Sequence, residues 1–141
     1  MVTVSTRRAA TADRRAAILE AAGAVFFEQG YAATSIDAII ERLGGSKRNI
    51  YNEFGSKEGL FTALVEENAN AVLAGLSLAA IEHRDLRETL LEFGRRLMRI
   101  YLSPALLGVY RTIVSEGLRF PKLAQAFYEK GPARASHHLC E

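Results

Sequence analysis

Two consecutive glycines, Gly44 and Gly45, are the feature that most constrains how this chain can fold. Glycine is unfavourable inside a helix and common just after one, so the pair predicts a break between two helices. The segment before the break has apolar side chains at helical spacing, namely Ile36, Ile39, Ile40 and Leu43. The segment after it begins with Ser46, a typical N-cap residue. The sequence therefore predicts a helix, a tight turn and a second helix.

The second of these helices is short and unusually polar, and it is expected to run from Ser46 to about Phe54. Ile50 and Phe54 are four residues apart, so both can face a core. The other side chains are mostly basic or amide groups and cannot all face inward: Lys47, Arg48, Asn49 and Asn52. A short bracing helix followed by a glycine-containing turn and a polar helix is typical of the helix-turn-helix, whose second helix enters the major groove of DNA.

On this interpretation, eight side chains are candidates for contact with double-stranded DNA: Thr34, Ser35, Lys47, Arg48, Asn49, Tyr51, Asn52 and Lys57. The two lysines and the hydroxyl groups suit phosphates. Arginine suits guanine and asparagine suits adenine, so Arg48, Asn49 and Asn52 are the candidates for base contacts. The alternative for the polar cluster is a solvated helix face, and for Tyr51 it is a core aromatic with an exposed hydroxyl.

The rest of the chain predicts an all-α fold, because strand-like alternation is hard to find and only 3 of the 141 residues are proline. The predicted parts are a flexible basic arm over residues 1–11, a three-helix DNA-binding domain over 12–72 and further helices over 73–141. The arginines near the N-terminus form either a minor-groove arm or a tail without a role: Arg7, Arg8, Arg14 and Arg15.

The segment from about Asp13 to Asn70 resembles the DNA-binding domain of the TetR family of bacterial transcriptional regulators. The similarity is most specific at Phe26, Gly30-Tyr31, Thr34, Ile39-Ile40 and the run SKRNIYNEFGSKEGLF, residues 46–61. The resemblance implies phosphate contacts for Tyr51 and Lys57, and base or phosphate contacts for Lys47, Arg48, Asn49 and Asn52. It also implies a homodimer that binds a palindromic operator, most often as a repressor.

The resemblance further implies that residues 73–141 form a helical domain for effector binding and dimerisation. The segment RFPKLAQAFYEKGPARA, residues 119–135, is similar to the regulatory half of some members. An apolar or aromatic small-molecule effector would contact side chains of an apolar stripe: Phe93, Leu97, Tyr101, Tyr110, Ile113 and Val114. For the same residues, a helical stripe is also the pattern of an ordinary core.

Three positions depart from the family pattern: Gly45 replaces an apolar residue, Asn52 a frequent His or other aromatic, and Gly55 a frequent Pro. Because of Asn52, we do not expect the operator preference of relatives to transfer to this chain. Family members usually continue through further helices that form the dimer interface. The shorter length here is expected to reflect a truncated chain or a gene fragment.

Other functions receive little support from the sequence. A helical enzyme is one alternative, but no phosphate-binding loop, nucleophile motif or catalytic dyad spacing is found. A protein-interaction module that has lost operator binding is the other. His83, His137, His138 and the single cysteine, Cys140, lack zinc spacing, so we expect neither metal nor cofactor. No apolar run approaches a membrane span, and we expect a cytoplasmic protein.

Overall fold

The computed structural model describes residues 4–75 and 85–140, with side chains over 9–75 and 85–137. Within these ranges the chain is all-α, as predicted, and contains no strand. Its helices are α1 (Val4–Gln29), α2 (Ile36–Leu43), α3 (Lys47–Phe54), α4 (Lys57–Gly75), α5 (Leu86–Tyr101), α6 (Pro104–Glu116), α7 (Pro121–Lys130) and α8 (Pro132–Cys140). In the described ranges, no helix combines the length and apolar character needed to cross a membrane.

The chain divides into two compact units, Met1–Leu64 and Val65–Glu141. The division falls inside α4, eight residues before the boundary predicted at residue 72. Helix α4 is continuous through this point, because its sequence from Lys57 to Gly75 contains no proline and its glycines lie in the first turn and at the end.

Helix α1 begins at Val4, several residues before the start near Thr11 that the pattern predicts. Residues 4–11 lack glycine and proline and are rich in alanine and arginine, which favour helix, so the helix can propagate through them. Much of the predicted arm is therefore the first turns of α1. Residues 1–3 and the side chains of Arg7 and Arg8 lie outside the described part of the chain.

The first unit is held together by an aromatic cluster formed by Phe26, Tyr31 and Phe61. The Phe61 ring meets the other two edge-on, with centroid distances of 5.4 and 5.5 Å, and Phe26 stacks on Tyr31 at 5.6 Å. All three side chains are buried. They come from α1, the turn after it and α4, so the cluster joins these three elements of the first unit.

The second unit contains the later part of α4 and helices α5 to α8. Val109 of α6 and Leu123 of α7 are its most buried large apolar side chains. Ser103 accepts a hydrogen bond from the backbone N–H of Leu106 and caps α6, whose first residue is Pro104. Val109 and Leu123 therefore belong to the core of this unit.

Candidate nucleic-acid interface

Two serine caps define the helix-turn-helix. The Ser35 hydroxyl accepts from the N–H of Ala38 at 3.1 Å, and the Ser46 hydroxyl accepts from the N–H of Asn49 at 3.4 Å. Between the helices, Gly44 and Gly45 have φ values of 83° and 100°, in the left-handed region that other residues rarely adopt. The paired glycines therefore allow the tight reversal, and the departure at Gly45 is accommodated by this conformation.

Helix α3 has one buried side and one exposed side. Ile50 is buried at 3% exposure and fixes the inner side, while Phe54 is half-buried. Five of the predicted contact residues are exposed on the rest of the helix, and we call them the α3 outer face: Lys47, Arg48, Asn49, Tyr51 and Asn52. Tyr51 is 46% exposed, which excludes the alternative of a core aromatic within this chain.

Lys47 forms an ion pair with Asp37 of α2, with 2.6 Å between Nζ and Oδ2. The hydrogen bond from Lys47 to this carboxylate raises the pKa of the lysine above its ordinary value. Both side chains are largely exposed, so solvent screens the pair and leaves it easily exchanged. Asp37 was missed by the sequence reasoning, because its place in the first turn of α2 suggests only a favourable interaction with the helix dipole.

Of the predicted contact residues at the start of α2, Ser35 is exposed and Thr34 is buried at 3% exposure. The Thr34 hydroxyl donates to the carbonyl of Gly30 at 2.7 Å and also approaches the carbonyl of Val25 at 3.4 Å. Thr34 therefore stabilises the turn after α1 from within, and its side chain is not part of the exposed surface.

Lys57 is the remaining predicted contact, and it lies at the start of α4. Its side chain is half-buried and its ammonium donates to carbonyl oxygens of the turn between α1 and α2. The α3 outer face and Ser35 are therefore exposed. The Thr34 hydroxyl and the Lys57 ammonium are instead hydrogen-bonded to backbone carbonyls.

Helix α1 supports α3 through a contact that the sequence analysis did not identify. Arg15 Nη1 lies 3.3 Å from Glu53 Oε1, and the guanidinium stacks over the Phe54 ring at 4.9 Å from its centroid. Thr11 and Arg14 line a shallow groove beside Asn49 and Asn52. Arg15 and Glu53 are 38 residues apart in the sequence, so no local sequence pattern predicts that they form a pair.

The second unit contains a cavity of about 410 Å³. Its surface is almost wholly apolar, since Asn68 and two tyrosines contribute mainly carbon atoms, and no charged residue lines it. Of the six predicted pocket residues, Tyr101 and Tyr110 line it. Phe93, Leu97, Ile113 and Val114 do not. Helices α4 and α8 supply lining that sequence reasoning missed, because helical periodicity shows which residues share a stripe but not which stripes meet.

Among the described residues, no three His, Cys, Asp or Glu side chains are grouped as metal ligands would be. His83 lies outside these residues, as do the side chains of His138 and Cys140. The described part presents hydrogen-bonding and charged groups at the α3 outer face and an apolar surface in the cavity.

Together, the fold and the exposed polar face on α3 define an all-α protein with an N-terminal helix-turn-helix. Two family models match separate parts of the chain. Residues 18–64 match the model described as bacterial regulatory proteins, tetR family, and residues 88–141 match the AefR-like transcriptional repressor C-terminal domain. The chain belongs to the TetR family.

Curated relatives match part of the chain. The HTH-type transcriptional activator FasR of Mycolicibacterium smegmatis is 35% identical over 78 residues, which are 55% of this chain and 36% of the relative. The HTH-type transcriptional repressor AcnR of Corynebacterium diphtheriae is 41% identical over 56 residues, which are 40% of this chain and 30% of the relative. The matches thus span about a third of the length of these relatives.

Two solved structures are similar over most of the chain. One, described as a TetR-family transcriptional regulator from Mesorhizobium loti, is 33% identical with a TM-score of 0.73, covering 85% of this chain and 61% of the other. The second is the flavonoid-responsive regulator FrrA, 34% identical with a TM-score of 0.71, covering 91% of this chain and 65% of the other. The similarity therefore includes helices of both units.

Proposed function

We propose that this transcriptional regulator binds DNA and senses an effector, acting as a repressor on a palindromic operator as a homodimer. The observation that carries the proposal is the α3 outer face, where basic, amide and phenol groups are exposed on a helix anchored by Ile50. A repressor is favoured over an activator because the C-terminal family model describes transcriptional repressors. We place the protein in the cytoplasm, where its operator would be.

Each group on the α3 outer face has a chemical role in this proposal. Lys47 and Tyr51 contact phosphates, with Lys47 exchanging Asp37 for a phosphate oxygen. Arg48, Asn49 and Asn52 face base edges, where arginine favours guanine and asparagine favours adenine. The Ser35 hydroxyl, exposed at the start of α2, adds a further phosphate contact.

The effector is proposed to be a neutral, largely aromatic small molecule that enters the cavity of the second unit. A volume of about 410 Å³ lies within the range of small-molecule sites. An uncharged lining disfavours a charged ligand, because burying an ionised group without a partner is costly. The rings of Tyr101 and Tyr110 can pack against an aromatic ligand, because the cavity surface is almost wholly apolar. The flavonoid-responsive neighbour fits this ligand class.

Release from DNA is proposed to pass through α4, because this helix contributes to both units. Leu60 and Phe61 are in the core of the first unit, whereas Val65, Asn68 and Val72 line the cavity of the second. An effector that prefers a shifted position of α4 would alter the spacing of the two α3 helices in a dimer. That spacing must match half-sites about one DNA turn or a multiple apart, so DNA affinity would fall.

The proposal is tested by selecting fragments from a random DNA pool with the purified protein and measuring affinity across a range of salt concentrations. We expect an inverted repeat among the selected fragments and a log K that falls by about 0.9 per phosphate neutralised for each unit of log salt. Arg48→Ala or Asn49→Ala should cost about 1–3 kcal/mol on the selected duplex and relax one position. Arg134→Ala, in α8 of the second unit, is the charge-matched control and should leave affinity unchanged.

Equal losses on selected and random DNA would remove Arg48 and Asn49 from the base-contact set. A flat salt profile with no enriched sequence would instead favour the alternative function, a helical protein-interaction module without operator binding. Detection of small-molecule turnover by a protein that does not bind DNA would favour an enzyme.

A further inference from the structure

The ammonium group of Lys57 is enclosed by the turn between α1 and α2. Its Nζ donates to the carbonyl oxygens of Tyr31 at 2.8 Å and Thr34 at 3.1 Å, and it lies 3.4 Å from that of Ala32. The same nitrogen is 4.5 Å from the centroid of the Tyr31 ring. An ammonium group has three N–H donors, so each donor can have one of these three carbonyls as its partner. Hydrogen bonds from a charged donor are also stronger than those from a neutral donor.

The turn that receives Lys57 determines where α2 begins. Gly30 has a φ of 82°, the N–H of Thr34 donates to the Gly30 carbonyl at 3.2 Å, and Ser35 follows as the N-cap of α2. Tyr31 is also a member of the aromatic cluster. Lys57 thus joins the first turn of α4 to the segment that sets the position of the bracing helix, 23 to 26 residues earlier in the chain.

We infer that Lys57 is a positioning residue that clamps the start of α4 to the start of α2, and that it is not a phosphate ligand. Reaching a phosphate would require the ammonium to leave three carbonyl oxygens, two of them in partly buried hydrogen bonds. Losing such partners carries a desolvation cost that a solvent-exposed phosphate contact does not offset. The half of the inference that concerns phosphate rests on the proposed DNA binding, whereas the clamp itself does not.

The clamp is tested without DNA by hydrogen exchange of the backbone amides in residues 30–39. Lys57→Met retains an apolar chain of similar length and removes the charge. We expect it to accelerate exchange in this segment by about tenfold or more, because local opening becomes easier. Lys122→Met is the matched control, since it removes an exposed ammonium from α7 and should leave this segment unchanged. Equal exchange in the wild type and Lys57→Met would overturn the clamp.

The phosphate question is tested by the salt dependence of binding to the selected DNA. The clamp predicts that Lys57→Met lowers affinity by a similar factor at every salt concentration, with an unchanged slope. A phosphate ligand would instead lose about 0.9 units of slope, as is expected for Lys47→Met. A slope loss of that size in Lys57→Met would overturn the inference even if the exchange result held.

Wild-type protein provides the test if Lys57→Met does not fold. Nitrogen-15 spectra of the lysine ammonium groups should show a slowly exchanging signal for Lys57 that is shifted by the Tyr31 ring and does not change when DNA is added. A rapidly exchanging Lys57 ammonium in free protein, or one that shifts on DNA as Lys47 does, would contradict the clamp. Absence of DNA binding by the wild type would count against the proposed function only, because the exchange and free-protein spectra still decide the clamp.

Discussion

Replacing Phe61 by alanine should destabilise the first unit more than any exposed substitution on α3. The Phe61 side chain is fully buried, and its ring contacts Phe26 at 5.4 Å and Tyr31 at 5.5 Å in edge-on geometry. Removing a buried phenylalanine typically costs about 3–5 kcal/mol, through lost burial and the cavity that remains. Each of the two aromatic pairs contributes about 0.5–1.5 kcal/mol in addition to the burial of apolar area, so we expect the loss of unfolding free energy to lie in the upper half of that range.

Urea unfolding followed by circular dichroism measures this loss, with hydrogen exchange assigning the transition to the first unit. For a urea slope of about 2 kcal/mol per molar, the midpoint should fall by about 2 M. Tyr51→Ala is the control, because Tyr51 is an exposed aromatic of the same unit and its removal should cost below about 1 kcal/mol. A midpoint shift for Phe61→Ala no larger than that of Tyr51→Ala would refute the packing assigned to the cluster.

Three further predictions concern charge and the cavity. Asp37→Asn removes the ion-pair partner of Lys47 and frees the ammonium for a phosphate, so fluorescence anisotropy should show operator binding about threefold tighter at low salt. Unchanged or weaker binding would contradict the proposal that Lys47 exchanges Asp37 for a phosphate. The hydrogen bond from Arg96 is the chief reason that the pKa of Glu92 is held below its ordinary value. Ionised Glu92 therefore stabilises the fold at pH values above that ordinary pKa, and this contribution is lost as the pH falls through the lowered pKa. Glu92→Gln should therefore lower the thermal midpoint at neutral pH but not in strong acid, and an equal shift at both would contradict this linkage. Val72→Phe partly fills the cavity and should weaken calorimetric binding of a neutral aromatic probe of the proposed effector class at least about tenfold while leaving DNA affinity unchanged.

Local sequence signals were sufficient to predict the helix-turn-helix. Ser46, the paired glycines and the inward spacing of Ile50 each act within one or two helical turns, and the structure places them as expected. The exposure of Tyr51 and its neighbours follows from the same periodicity, because a helix with one buried stripe must expose its other side. This part of the candidate site could therefore be predicted from residue type and spacing alone.

Contacts between residues that are distant in sequence could not be predicted from residue type and spacing. A lysine at the start of α4 suggests a phosphate contact, yet Lys57 is directed at carbonyls of a turn 23 to 26 residues earlier. Thr34 has a residue type that suits DNA, but tertiary packing encloses it. The cavity lining likewise depends on how α4, α6 and α8 meet, which no single stripe encodes.

The central claim is that the α3 outer face meets DNA, and side-chain and amide shift mapping with a selected duplex tests it most directly. We predict the largest changes at Arg48, Asn49 and Asn52, smaller ones at Ser35, and little change at the methyl groups of Ile50. Binding that leaves residues 46–52 unperturbed, or changes confined to residues 85–137, would contradict the claim.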